Sequence, residues 1–305
     1  MDVNKIEKLL LKKLSKEQIL INEPMKNNTT FKIGGPAALF VKPYSNEEVA
    51  EVVKLCNKEQ LPYFILGNGS NLLVADEGYE GVVIQLYSQF SEVWVHGNQI
   101  KAQAGALLSK VANKALEHHL TGAEFAHGIP GTLGGAVVMN AGAYDGEMKD
   151  VLISSEVLTP EGEILTLSKE DLALGYRTSI IQVKHYIVLS ATLALHQGNY
   201  EVILEKMKDF TKRRRDKQPL DMPSAGSTFK RPKGYFAGKL IMDSQLSGYR
   251  VGGAMISDKH CGFVVNVDEA TCEDVKKLIH DVQERVYQKF NVMLEPELKT
   301  LGFKL

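Results

Sequence analysis

Cysteine is scarce in this chain and tryptophan nearly absent, at three and one among 305 residues. Cys56, Cys261 and Cys272 are odd in number and form no CxxC pair. Neither a disulfide framework nor a zinc site is indicated, and free thiols in a reducing compartment are expected. Long apolar runs are missing as well. No stretch of about 18 apolar residues occurs, and the opening MDVNKIEKLLLKKL is too charged for the core of a signal peptide. This reading excludes membrane-spanning and exported proteins, so a soluble cytoplasmic protein is expected and the triplets at Asn27, Asn28 and Asn68 carry no glycan. An excess of either charge sign is also lacking: 36 Lys+Arg against 37 Asp+Glu leave a net charge of −1. Among the histidines, His118, His119 and His127 stand in no HExxH-like spacing, so no metal is expected.

What is present is ordinary globular material, 44% hydrophobic and 24% charged, long enough for about two domains with their own cores. Ser45 and Glu48 read as a capping box, followed by Val49, Val52, Val53 and Cys56 at helical spacing. Tyr63–Leu66 and Leu72–Val74 read as strands around the polar turn Gly67-Asn-Gly-Ser-Asn71. Val93–Val95 and Ile100–Gln103 flank Gly97-Asn98 as a hairpin, and residues 106–118 form an amphipathic helix. Strands are expected at Val151–Thr159, Ile164–Leu167 and Tyr186–Leu195, and a helix over 200–216 that Gln218-Pro-Leu-Asp-Met-Pro223 stops. Thr271 with Asp274 opens a last long helix, and a short strand near Leu294–Leu301 closes the chain. The order is α+β, not alternating βαβ.

Glycine is unevenly spent. Seven of the 26 fall in residues 122–146, where an even spread would place roughly two. Within that segment, Gly128-Ile-Pro-Gly131-Thr132-Leu-Gly134-Gly135 leads to Asn140, Gly142 and Tyr144. Gly131-Thr132 caps a helix of small residues against which a bulky ligand can lie, with the helix N-terminus a candidate phosphate site. Close helix packing is the competing explanation. The other turn, Gly67-Asn68-Gly69-Ser70-Asn71-Leu72, starts like GxGxxG, but Leu72 replaces the third glycine and no helix follows, which argues against a Rossmann site. Its backbone N–H groups and small side chains could hold an anion or polar ring edge, but taken alone the motif reads first as an ordinary tight turn.

Taken together, GNGSNLLV and GIPGTLGGAVVMNAGAY resemble the paired FAD-binding segments of the vanillyl-alcohol-oxidase/PCMH-type flavoproteins. Leu174-Gly-Tyr176-Arg177-Thr-Ser179, Pro223-Ser-Ala-Gly226-Ser227-Thr-Phe-Lys230-Arg-Pro232 and Leu294-Glu-Pro-Glu297-Leu narrow the resemblance to the UDP-N-acetylenolpyruvoylglucosamine reductase family, in its shorter second type. Five motifs in family order span residues 24 to 301. The resemblance implies a two-part FAD-binding domain, 1–86 and 87–217, with a smaller α+β substrate domain at 218–293. The strand near 294–305 is expected to return to the first part. Non-covalent FAD would be held by Gly67, Asn68, Gly69, Ser70, Asn71, Leu72, Gly128, Ile129, Pro130, Gly131, Thr132, Gly134, Gly135, Asn140, Gly142 and Ala143.

The implied reaction is reduction of FAD by NADPH, then hydride transfer from flavin N5 to the vinyl C3 of UDP-N-acetylglucosamine enolpyruvate, and protonation at C2. The product is UDP-N-acetylmuramate for peptidoglycan. Arg177 and Glu297 correspond to the pair that stabilises the enolate and Ser227 to the proton donor. Tyr176, Arg213 and Lys230 are candidate substrate contacts. Arg231 stands where some members carry Asn, and the short 177–200 segment leaves little room for the extra loop with a substrate-covering tyrosine of longer members.

Charge distribution fits such ligands. Residues 208–250 hold eleven Lys/Arg and four Asp, a net of +7, and the rest of the chain totals −8. The cluster serves either as the solvated cationic end of the 200–216 helix or as a field for the UDP diphosphate and NADPH phosphates. Without interleaved aromatics it does not read as a nucleic-acid surface. Two other functions remain open at this point: a different PCMH-type oxidase or dehydrogenase of sugars or lactones, and a non-catalytic protein that binds a flavin or nucleotide sugar.

Overall fold

Ser45 accepts the Glu48 N–H and starts the helix Asn46–Lys58. The expected capping box is only half closed. Glu48 turns its carboxylate past the Ser45 N–H to the Tyr44 N–H and to Gln18 Nε2, at 2.6 and 2.7 Å. The computed structural model that supplies this geometry describes residues 1–144 and 146–305. The chain divides into two compact units, one of residues 1–21, 39–68 and 81–214, the other of 22–38, 69–80 and 215–305.

Two sheets supply most of the first unit's strands. One runs in the order Ile19–Pro24, Pro36–Val41, Tyr79–Gln85, Tyr63–Leu66, the last pair parallel. The second has five antiparallel strands in the order Ile164–Ser168, Leu152–Leu158, Ile187–Ala194, Gln99–Gln103, Val93–His96. The expected hairpin is there: His96 pairs with Gln99 across a two-residue turn in which Gly97 takes φ +58°, as such turns require. Along Gln99–Gln103 burial alternates with period two, Ile100 and Ala102 facing the core. That core also takes in Val111 and Ala115 of the helix Leu108–Glu117 and Leu133, Ala136 and Val137 of the helix Leu133–Met139. The latter helix lies close to its neighbours because Gly134 has no side chain; a Cβ there would stand 2.8 Å from that of Ala104.

The second unit carries a four-stranded antiparallel sheet, ordered Ser224–Ser227, Phe263–Asn266, Ala254–Ile256, Arg250–Val251. The helix Cys272–Phe290 begins at a true capping box between Thr271 and Asp274, and the Asp76 carboxylate accepts the N–H groups of Cys272 and Glu273. Its face of Val275, Leu278, Ile279, Val282 and Val286 is buried with Leu240, Ile241, Ile256 and Val264. The closing strand is shorter than expected, Lys299–Leu301, and pairs in parallel with Leu72–Val74.

All three cysteines are buried and free, and burial pushes the Cys56 and Cys272 thiols up to about 12, with Asp76 adding to the effect at Cys272. Among the described residues no helix is long and apolar enough to cross a membrane, and no group of His, Cys, Asp or Glu is arranged to hold a metal.

Glu124, with only 3% of its surface exposed, is the buried acid of the first unit. Burial alone would raise its pKa. The Thr121 hydroxyl, backbone N–H groups including that of Gly122, and Lys206 outweigh burial and hold it below the usual carboxylate range. A depressed folded-state pKa stabilises the fold above the ordinary value of 4.5, and the gain is lost as pH falls through the lower folded pKa. Glu124→Gln is therefore expected to cost about 1–3 kcal/mol near pH 7. The gap from wild type should shrink as the pH drops below that ordinary value, read from urea-unfolding midpoints across pH.

Candidate functional site

Thr132 accepts the Gly135 N–H and caps the helix Leu133–Met139, as its sequence suggests. The helix N-terminus, however, is not an open anion site. Its Leu133 and Gly134 N–H groups donate to the carbonyls of Ala106 and Ala104, both at 2.8 Å. Phosphate binding by that dipole is thus corrected: the loop at 104–106 has taken these donors.

Free donors lie instead on the other turn. Among the described residues, the backbone N–H groups of Asn68, Gly69 and Ser70 meet no protein acceptor. In the first unit the two glycine-bearing segments are pinned together. Asn68 Nδ2 donates to Pro130 O at 3.0 Å, and a Cβ on Gly67 would stand 2.4 Å from Thr132 Oγ1. Gly135 faces comparatively open space, its built Cβ 3.6 Å from Thr132 Oγ1. Within the first unit, the bare backbone at Gly67 and Gly135 and the unused Asn68 N–H suit a polar or anionic ligand laid against them.

Asn140 plays a different part from the one expected. Its side chain is fully buried and used within the protein: Nδ2 donates to Glu147 Oε2 and Gly175 O, at 2.8 and 3.1 Å, and Oδ1 accepts the Lys149 N–H. Its backbone, at φ 42°, is the left-handed cap of the helix. A cofactor contact through this amide is not available. Gly142 and Ala143 pair with Glu147 and Gly146 in a tight two-stranded turn. Ile129 is partly buried against the first unit's core, and its carbonyl accepts the Gly131 N–H.

Arg177 sits in the turn that Asn140 holds. Gly175 and Thr178 form an antiparallel bridge around it, and Arg177 itself adopts φ 55°, a left-handed conformation that costs a non-glycine residue roughly 1–3 kcal/mol. Its guanidinium lies 5.2 Å from the centre of the exposed Tyr176 ring. Ser179 Oγ and Gln182 Nε2 both donate to Val138 O, tying the following helix back to the end of Leu133–Met139.

The helix Tyr200–Lys217 runs along the glycine-rich segment. Lys206 reaches Glu124, Phe210 stacks on Tyr144 with centroids 4.7 Å apart, and Thr211 meets His127. At the next turn the sequence reading placed Arg213, but that guanidinium is occupied by Asp209 at 2.7 Å. The inward cation is Arg214, half-buried, with Cδ 3.3 Å from where a Gly128 side chain would begin. Burial draws its pKa down while the Tyr144 phenol opposes the shift. A signal for it exists only in register: 203, 207, 210 and 214 share one helix face.

In the second unit, Ser227 and Glu297 are brought together through backbone. Ser227 is the exposed last residue of its strand, opposite Phe263. Phe229 bridges Pro296, Glu297 N–H donates to Thr228 O and Lys230 N–H to Glu295 O, both bonds 2.8 Å. Lys230 Nζ pairs with Glu295 Oε2 at 3.0 Å. Lys299, which motif reading passed over, joins this group: burial first and the Lys230 charge second lower its pKa, with Glu297 opposing. Leu72 is buried in the paired strand, and Asn71 Nδ2 donates to Glu297 O at 3.4 Å.

Comparison with known proteins covers both units. Residues 37–168 match the family described as "FAD binding domain", and residues 218–301 match "UDP-N-acetylenolpyruvoylglucosamine reductase, C-terminal domain". The UDP-N-acetylenolpyruvoylglucosamine reductase of Alkaliphilus oremlandii is 53% identical over 302 residues, covering 99% of each chain. That of Caldanaerobacter subterraneus is 54% identical over 295 residues, covering 96% of this chain and 97% of its own. The crystal structure of the Thermus caldophilus reductase superposes with a TM-score of 0.80 at 37% identity, covering 93% of this chain and 98% of that one.

Gly67→Ala tests the cradle. Its Cβ must push Thr132 aside, so the purified variant is expected to carry less flavin per chain and to bind it at least about tenfold more weakly, by absorbance ratio and fluorescence titration. Flavin content equal to wild type would remove this turn from the cofactor site.

Proposed function

The chain belongs to the UDP-N-acetylenolpyruvoylglucosamine reductase family, and from that premise we infer that it reduces UDP-N-acetylglucosamine enolpyruvate to UDP-N-acetylmuramate for peptidoglycan synthesis. FAD is the cofactor, NADPH the co-substrate and the cytoplasm the place of work. The observation that carries the reading is the full-length likeness to named reductases. A flavin oxidase of sugars or lactones leaves the match over 218–301 without a reason. On this reading the FAD-binding domain comprises 1–86 and 87–217, and 218–293 serves the substrate.

FAD, when bound, would supply the carrier that takes hydride from NADPH to the substrate's vinyl carbon. The residues of the chain then manage charge and one proton. Hydride addition moves negative charge toward the enolpyruvyl carboxylate, and Arg177 is proposed to meet it there. A guanidinium fixed in a bridged turn binds the enolate better than the ground state and needs little reorganisation. Glu297 is proposed beside the same carboxylate, protonated or sharing a proton when the enolate forms. Ser227 supplies the proton to C2; its hydroxyl is a weak acid and can do so only to a base as strong as a carbanionic enolate. Its own proton is then restored from water or from Lys230.

Tyr176 and Lys230 remain proposed substrate contacts. For the diphosphate we propose Arg214, backed by the more exposed Arg213, because Arg214 is half-buried beside Gly128 while Arg213 is held by Asp209.

Ser227→Ala is expected to leave flavin bleaching by NADPH intact and to slow turnover about 10²–10⁴-fold; equal damage to both half-reactions would take Ser227 out of this role. Arg177→Ala should lower kcat and kcat/KM together, by about 2.7–4 kcal/mol in barrier. A change in KM alone would make Arg177 a binding residue only.

A further inference from the structure

Strand Ser224–Ser227 is irregular where it matters. Its register against Phe263–Asn266 shifts between Ser224 and Ser227, and Gly226 inside the shift takes φ +78°. The regular ladder therefore does not fix Ser227 from its N-terminal side. The fixing comes from the next residue. Thr228 N–H donates to Gly262 O at 2.8 Å, and Thr228 Oγ1 accepts the Val264 N–H at 3.1 Å.

Gly262 is in turn held by an imidazole. His260 Nδ1 accepts the Gly262 N–H at 3.1 Å, so the ring is neutral and carries its proton on Nε2. The ring stands edge-on to Phe263, the register partner of Ser227, with centroids 5.0 Å apart. The fit is close: a Cβ on Gly262 would lie 2.9 Å from His260 Cε1. Ser257, buried at the start of the turn, accepts the N–H groups of Lys259 and His260 through its hydroxyl. Its own N–H bonds to Phe263 O, and Phe263 N–H bonds to His260 O. The neighbouring charges are engaged elsewhere, Lys259 with Arg215 O and Asp258 with Ser247.

We propose that His260 is a positioning residue for Ser227: by holding the Gly262 peptide it sets the carbonyl that anchors Thr228, and so aims the adjacent hydroxyl. The proposal rests on Ser227 as proton donor. It adds that the donor's placement depends on a side-chain acceptor two residues before Gly262, and that a non-titrating acceptor at position 260 would serve. Asn meets that need, since its Oδ1 can accept the N–H two residues on.

The test uses the flavin-loaded full chain as His260→Ala, His260→Asn, Ser227→Ala and the Ser227→Ala/His260→Ala double variant. Stopped-flow absorbance follows bleaching by NADPH and reoxidation by the enolpyruvyl substrate, and hydrogen exchange follows the Thr228 amide. His260→Ala is expected to slow reoxidation about 10–100-fold while bleaching stays within about twofold, since small misplacement of a reacting group costs that much. Exchange at Thr228 should speed up in the same variant. His260→Asn should recover most of the loss, and the double variant should be no slower than Ser227→Ala. The proposal is overturned if His260→Ala slows both half-reactions alike, if well-folded His260→Asn is as slow as His260→Ala, or if the losses add in the double variant. Should His260→Ala fail to fold, near-wild-type reoxidation in His260→Asn supports the proposal and slow reoxidation with normal bleaching overturns it. Normal turnover by Ser227→Ala would instead defeat the reading of Ser227 itself.

Discussion

One buried amide ties three segments of the first unit together. Asn140 is inaccessible to solvent and gives its side chain to three partners at once: the carboxylate of Glu147, the carbonyl of Gly175 and the N–H of Lys149. The end of the helix Leu133–Met139, the segment after it and the bridged loop that carries Arg177 therefore meet at a single side chain. A buried amide left short of a partner costs about 1–3 kcal/mol, so none of the three segments moves without breaking a bond to it. Ser179 and Gln182, both donating to Val138 O, reinforce the same joint. The strained φ of Arg177 is affordable because its surroundings are so fully determined.

The second unit solves a similar problem with backbone alone. Ser227 and Glu297 lie on neighbouring segments joined through Thr228, whose carbonyl accepts the Glu297 N–H while its own N–H and hydroxyl engage the strand Phe263–Asn266 and the turn before it. Ser227 and Glu297 are thus placed by peptide geometry, which is stiffer than side-chain contact. Lys230, Glu295 and Lys299 then set the charge around them, with the two lysines opposing one another and Glu297 offsetting part of that repulsion.

Local signals in the sequence were legible where short-range physics decides. The Thr132 and Thr271 caps, the Gly97-Asn98 hairpin and the face of the Cys272–Phe290 helix all stand as their residues imply. So do the α+β order and the FAD-binding resemblance. What the chain order hid was every choice made by a distant partner. Glu48's carboxylate reaches Gln18 instead of the Ser45 N–H; the Leu133 and Gly134 donors go to the loop at 104–106; Asn140 turns inward to Gly175. Among three consecutive arginines, only helix register selects Arg214 as the inward one. His260 carries no motif at all, and its role emerges from two hydrogen bonds in succession.

The central claim is that hydride entering as NADPH leaves on an enolpyruvyl carbon, and an anaerobic titration of the purified protein tests it most directly. NADPH added without oxygen should bleach the yellow flavin stoichiometrically. UDP-N-acetylglucosamine enolpyruvate added next should restore the colour mole for mole, with UDP-N-acetylmuramate formed. Colour that returns only when oxygen is admitted would contradict the account and place this flavin with the oxidases.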